Sequence, residues 1–160
     1  MKEIKLSQGL VTKVDDEDYE YLAQWKWRAM KSRNTYYAVR YEKKSGKDIA
    51  ILMHRILMKT PDNLQVDHKD RDGLNNQKYN IRNCTHVQNL HNQKKKGKLN
   101  KYKGVYVINK NNIIAVITLN YKQVWRKRFK TEEEAAREYD KMASVYFGEF
   151  AELNFPILNQ

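Results

Sequence analysis

Val66-Asp67-His68 is the first place along the chain where catalysis can be argued. An acid next to a histidine, after a β-branched residue, reads as strand, and neighbours on a strand point to opposite sides. The pair can therefore serve two roles. Twelve residues on comes Asn80, in Asn80-Ile-Arg82, and Asn89 and Asn92 follow at a spacing of three. Carboxylate, imidazole and helix-borne carboxamides converge only if two strands fold back on the helix that follows them. The segment between, Lys69 to Tyr79, is rich in Asp, Gly and Asn and reads as the loop that allows this.

The elements that must position these groups are legible in outline. Short β-type runs at Leu10–Val14, Trp25–Met30, Tyr36–Tyr41 and Ile49–Met53 predict a sheet-rich N-terminal third. Between the first two, the acids of Asp15-Asp-Glu-Asp18 suit the positive end of a short helix with Tyr19, Leu22 and Ala23 on one face. Another short helix is expected over Met53–Met58, stopped before Pro61. Thr85-His-Val-Gln88 has the form of a capping box, which predicts a helix carrying Val87, Leu90 and His91. Gln93-Lys-Lys-Lys-Gly-Lys-Leu-Asn100 reads as a basic linker, either a solvated tether or a phosphate-contacting segment. Beyond it, Tyr102–Ile108, Ile113–Leu119 and Val124–Phe129 predict a three-stranded antiparallel meander. Thr131-Glu-Glu-Glu134 caps a helix whose Ala135, Ala136, Tyr139, Met142, Ala143 and Tyr146 share one face, ended by Gly148.

Composition bounds the partners. The chain has 160 residues, 41% of them apolar, and a mean hydropathy of −0.90, enough for modest cores only. No apolar run is long enough to span a bilayer, and the N-terminus lacks the pattern of a secretory signal, so a cytoplasmic location and no membrane partner are expected. One cysteine, Cys84, excludes an internal disulfide and cysteine-based zinc ribbons. The net charge of +12 is spread along the chain, +4 over residues 1–65, +5 over 66–100 and +3 over 101–160. That distribution favours a long face tracking a phosphate backbone over a single basic tail.

Asp67-His68, Asn80-Ile-Arg82 and Thr85-x-x-x-Asn89-x-x-Asn92 resemble the ββα-metal core of the HNH endonucleases, in the variant with Asn in place of the last His. His54-Arg55 and Leu74-Asn75-Asn76 are similar to the phage and intron-encoded branch of that family, and Leu10–Arg40 to the extension preceding its core. The resemblance implies a homing or phage-type endonuclease that hydrolyses phosphodiesters of double-stranded DNA. His68 would be the general base, imidazole having an unperturbed pKa of about 6.5. Asp67 and Asn89 would hold one divalent ion, with Asn92 able to share or replace Asn89. Asn80 would orient the strand or the His68 ring, and Arg82 would clamp phosphate. Hard oxygen donors suit Mg²⁺, or Mn²⁺, over structural zinc. His54 is expected to be structural.

Tyr102-Lys-Gly-Val105, Ala115-Val-Ile117, Val124-Trp125, Thr131-Glu-Glu-Glu-Ala-Ala136, Tyr139-Asp140 and Leu153-Asn-Phe-Pro156 resemble an AP2 DNA-binding domain. That family lays its sheet in the major groove, which implies groove-facing positions for Lys103, Tyr106, Thr118, Gln123 and Trp125, with Arg126 and Arg128 as further candidates. The plant members carry mainly Arg where Tyr106, Thr118 and Gln123 stand here, so their preferred sequence does not transfer. The expectation is an α+β protein: a β-rich extension plus nuclease core over 1–93, a linker over 94–101 and an AP2-like sheet on one helix over 102–158. A monomer nicking one strand is the default, one active site per chain. The rival is a non-catalytic DNA-binding regulator on a degenerate core; an RNA-directed protein is a third reading.

Overall fold

The computed structural model describes residues 1–94 and 100–156, and the remainder of the expected basic linker lies outside the described residues. The protein is mixed α/β, built from small antiparallel sheets and few helices, and it divides into two compact units, Met1–His86 and Val87–Gln160. None of its described helices is long and apolar enough to cross a membrane.

The first unit opens with a hairpin of β1 (Lys2–Lys5) and β2 (Val11–Val14), in which Ile4 faces Thr12. Strand β1 was not expected: three of its four residues are exposed and only Ile4 is buried, too short an alternation to register in sequence. Helix α1 (Asp16–Leu22) carries Asp16, Glu17 and Asp18 in its first turn, where the positive end of the helix dipole favours them. Next come β3 (Arg28–Ser32), β4 (Thr35–Lys44) and β5 (Lys47–Leu52), an antiparallel sheet with β4 central. Strand β3 starts three residues later than the β-rich run Trp25–Met30 suggests. The backbone of Trp27 bridges Leu6 instead, while its indole is buried and its Nε1 donates to Leu22 O at 2.8 Å. Ile4, Leu6, Val14, Leu22, Trp27, Ala38 and Met53 form one apolar core. Helix α2 (Met53–Leu57) leads to the hairpin of β6 (Gln65–His68) and β7 (Ile81–Cys84), which α3 (His86–His91) follows directly.

In the second unit β8 (Val105–Asn109), β9 (Asn112–Leu119) and β10 (Lys122–Phe129) form a meander. Asn120 and Tyr121 both have positive φ, the tight hairpin geometry that matches strand twist. Helix α4 (Glu132–Phe147) is capped as its sequence predicts: Glu134 N donates to Thr131 Oγ1 at 3.2 Å, and Thr131 N donates to the Glu134 carboxylate at 3.3 Å. Ala135, Ala136, Tyr139 and Ala143 join Val105, Ile113, Ala115 and Ile117 in the core. Tyr146, expected on that face, is exposed, and Phe147 packs there instead. Gly104, at φ +72, lies flat against Tyr139, where a Cβ would sit 1.9 Å from the ring. The closing segment is tied down through Asp140, whose carboxylate accepts from Asn154 N, Asn154 Nδ2 and Phe155 N.

Candidate functional site

Strands β6 and β7 place Asp67 opposite Arg82 and His68 opposite Ile81. Residues directly opposite share a face. Arg82 accordingly donates Nε at 2.9 Å and Nη2 at 2.7 Å to Asp67 Oδ2, both residues buried. This corrects the expectation that Arg82 reaches out to clamp phosphate: it fixes a carboxylate and supplies the charge that a buried anion needs.

His68, 5% exposed, projects from the other side of β6. Its Nε2 lies 3.2 Å from Asn76 Oδ1. The protonation follows from the chain of partners behind it. Leu74 O can only accept, so the Thr12 hydroxyl, 2.7 Å away, spends its hydrogen there. Thr12 Oγ1 must then accept from Asn76 Nδ2 at 2.8 Å, which turns Asn76 Oδ1 toward the imidazole. An amide oxygen only accepts, so His68 carries its hydrogen on Nε2, and in the neutral ring Nδ1 is the basic nitrogen. Burial lowers the pKa of His68, while Asn76 and the charges of Asp70, Asp67 and Asp72 oppose that shift. A ring neutral near pH 7, with a defined basic nitrogen, can accept a proton.

Two rings pack around it. Tyr37 of β4 lies 5.8 Å from the His68 ring, centroid to centroid, and His54 of α2 meets it edge-on at 5.2 Å. Burial, then the neighbouring His68 and Arg55, lower the His54 pKa to about 3, so it is neutral. Its Nδ1 is buried without a hydrogen-bond partner. Arg55 holds the approach to β6 through the carbonyls of Thr60, Pro61 and Leu64. Tyr37 is raised by burial and by the Asp67 charge, which keeps its phenol protonated.

The loop between the strands is held from within and from outside. Asn80 Nδ2 donates to Asp70 Oδ1 at 2.9 Å and to Asn75 O at 2.8 Å, and Asn80 Oδ1 accepts from Asp70 N. Of the two roles expected of Asn80, it takes bracing of the strand connection; the carboxamide on the His68 ring belongs to Asn76. From outside, Lys13 N donates to Leu74 O, Asn76 N donates to Lys13 O, and Gly73 N donates to Thr35 Oγ1. Gly73 abuts Tyr37, where a Cβ would sit 2.5 Å from the ring. The acidic start of α1 also grips this loop, with the Asp15 carboxylate accepting from Lys78 N and Glu17 and Asp18 pairing Lys78 Nζ. Asn76, Thr12 and Tyr37 were missed as site residues. Only Asn76 carried a signal, in Leu74-Asn75-Asn76, because β2 and β4 approach β6 solely through the tertiary fold.

Burial pushes the Cys84 thiol up to about 11, leaving it no thiolate character for nucleophilic chemistry. His86 is exposed, with Nδ1 3.3 Å from Gln65 Nε2.

In the second unit Asn89 sits half-buried on α3 and Asn92 is buried in the turn after it. The His91 ring stacks on Phe147 at 3.8 Å. Lys103 Nζ donates to His91 O and Gln93 O at 2.6 and 2.8 Å, capping the C-terminal end of α3, so the groove-facing position expected of Lys103 is corrected. Trp125 is corrected too. It stands opposite core residue Ile117 and packs against the α4 side of the sheet. Tyr106 and Arg128 pair with Ile114, Arg126 with Val116 and Gln123 with Thr118, and all these positions alternate away from that core. Tyr106, Thr118, Gln123, Arg126 and Arg128 therefore share the open face.

Among the described residues no group of three or more His, Cys, Asp or Glu side chains gathers as a metal site. The donor types expected of Asp67, Asn89 and Asn92, one carboxylate and two carboxamides, are hard oxygens that fit a largely hydrated Mg²⁺ or Mn²⁺.

No family model matches the chain, and no solved structure matches it. Over 153 residues, 92% of this chain and 76% of the relative, it is 35% identical to a protein of Acanthamoeba polyphaga mimivirus that bears the name uncharacterized HNH endonuclease.

Proposed function

The chain belongs to the HNH endonuclease family, and from that premise we propose that it is a metal-dependent DNA endonuclease in which His68 is the general base. What carries the reading is the buried, neutral His68, its Nε2 3.2 Å from Asn76 Oδ1, one residue from the Asp67–Arg82 pair. Phosphodiester hydrolysis needs a water deprotonated near neutral pH, and an imidazole of this kind takes that proton. Arg82 holds the Asp67 carboxylate in place through two hydrogen bonds, and Asn80 holds the strand connection that sets both.

In this reading β6, β7 and α3 form the ββα-metal core, and Asp67 with Asn89, or Asn92 in its place, holds Mg²⁺ or Mn²⁺. When bound, the ion supplies charge neutralisation at the phosphate and at the leaving 3′ oxygen. Residues 1–93 act as the nuclease region, 94–101 as the linker and 102–158 as an AP2-like DNA reader of double-stranded DNA. The open face of β8–β10 reads through Tyr106, Thr118, Gln123, Arg126 and Arg128. One His68 per monomer makes a nick in one strand the primary product.

Supercoiled plasmid tests this directly. Relaxed circles with Mg²⁺ or Mn²⁺, none in excess chelator, and 5′-phosphate ends are the expected result. Binding of duplex DNA with no cleavage in either metal overturns the enzyme and leaves the regulator.

A further inference from the structure

Away from His68, the first unit carries a cleft of about 510 Å³ lined by Trp25, Lys26, Arg28, Arg40, Tyr41 and Asp48. We propose that this cleft is a stacking site for an unpaired nucleotide of the nucleic-acid substrate, which rests on the nuclease reading above. Its volume lies within the range of small-ligand sites, about 300–1,000 Å³.

The lining has the two properties that such a nucleotide needs. The first is a set of flat π surfaces. Trp25 is half-buried, held edge-on by Tyr21 at 4.9 Å, and the Arg40 guanidinium lies over its ring at 4.5 Å and over that of Trp27 at 5.8 Å. Tyr41 is 49% exposed. Bases of every kind stack on aromatic rings and on guanidinium planes. The second is charge. Lys26 and Arg28 are exposed basic residues on the chain entering β3, next to the rings, and they match the phosphates flanking a stacked base. Asp48, also in the lining, repels phosphate but accepts from an exocyclic amino group, which favours a base over a second phosphate beside it.

Arg40 is built in place before any ligand arrives. Besides the two indoles, it pairs with Glu42, and its Nε is buried without a hydrogen-bond partner. A buried unsatisfied donor is a cost that folds tolerate chiefly where a site requires the geometry. Rigid stacking groups lose little freedom on binding, which favours a nucleotide over a flexible acidic or phosphorylated peptide.

The test uses the full chain in chelator, so that nothing is cut, with fluorescence anisotropy of a labelled 12-nucleotide single strand. A second strand has the same phosphates but abasic sugars at its centre, and a blunt duplex is the third probe. The base-bearing strand is expected to bind about tenfold more tightly than the abasic one. Tyr41→Ala and Trp25→Ala are each expected to cut that ratio about fivefold, with duplex affinity within twofold. Lys26→Ala with Arg28→Ala is expected to weaken both single strands equally, leaving the ratio intact. A thermal melt separates lost stacking from lost folding in Trp25→Ala, and exposed Tyr41 carries the test if that variant unfolds. A ratio of one in the wild type, a ratio unmoved by Tyr41→Ala, or displacement of the strand by a phosphorylated acidic peptide at equal affinity overturns the cleft assignment. Metal-dependent plasmid nicking, read separately, survives that failure; loss of nicking with the ratio intact sinks the nuclease reading alone.

Discussion

The two units bury different chemistry. Around β6 and β7 the first unit buries Thr12, His54, Asp67, His68, Asn75, Asn76, Asn80 and Arg82, each held by a specific partner or packed ring. The second unit fills its interior chiefly with Val105, Ile113, Ala115, Ile117 and the alanines of α4, buries Asp140 to tie down its closing segment, and sets Arg126 and Arg128 on the open face of the sheet. Burying polar groups is costly, the more so where atoms such as His54 Nδ1 and Asn75 Oδ1 go without a partner, so a polar interior on this scale is kept where chemistry needs fixed protonation and fixed aim. An exposed sheet face needs neither. The contrast teaches where damage should fall: substitutions in the first unit should change rate, and those in the second should change stability or the salt dependence of binding.

The largest expected effect breaks the comparison at its chemical end. His68→Ala should lower cleavage about 10²–10⁴-fold, as loss of a general base does, while duplex affinity in a gel shift stays within a few-fold. Normal cutting by this variant would falsify the assignment.

Gly104→Ala attacks the other side. A Cβ at positive φ, driven into the Tyr139 ring, should destabilise the second unit by about 2–4 kcal/mol. The variant should lose its upper or lower melting transition yet still nick plasmid with metal, at scattered positions. Unchanged melting with unchanged site preference would remove the glycine from the fold's requirements and the sheet from target selection.

Acid sharpens the difference because the titrating histidines of the polar interior have lowered pKa values. Burial depresses both His54, to about 3, and His68. The unfolded chain therefore binds more protons than the folded one below about pH 6.5, and the stability present above that pH is lost as the pH falls. From His54 alone the loss should be about 2–3 kcal/mol between pH 6.5 and 4.5. Urea midpoints of wild type and His54→Phe at both pH values read it; an equal acid loss in the two proteins rules His54 out.

The smallest effect is on the open face. Arg126→Ala or Arg128→Ala should each flatten the dependence of log affinity on log salt by about one, with little change in melting temperature. Trp125→Ala should do the reverse, lowering the melting temperature because its ring packs on the core side. A Trp125 variant that melts normally but loses site preference would return that residue to the reading face.

Much of this protein was determined by sequence alone. Helix α4, its cap at Thr131, the meander and the short helices follow from local patterns, because capping, alternation and amphipathic spacing act within a few residues. The Asp67-His68 pair and the asparagine spacings pointed to the family. Only the tertiary structure decided how the side chains are spent. Arg82 and Asp67 are fifteen residues apart, and it is strand register that turns Arg82 onto the carboxylate. Asn76, and not Asn80, meets the His68 ring because β2, more than sixty residues earlier, turns the Asn76 carboxamide through Thr12. Trp125 turns inward by a bulge between Gln123 and Trp125, which a strict alternation does not reveal. Local rules set the elements, whereas the protonation of His68 depends on hydrogen bonds that exist only after distant strands have met.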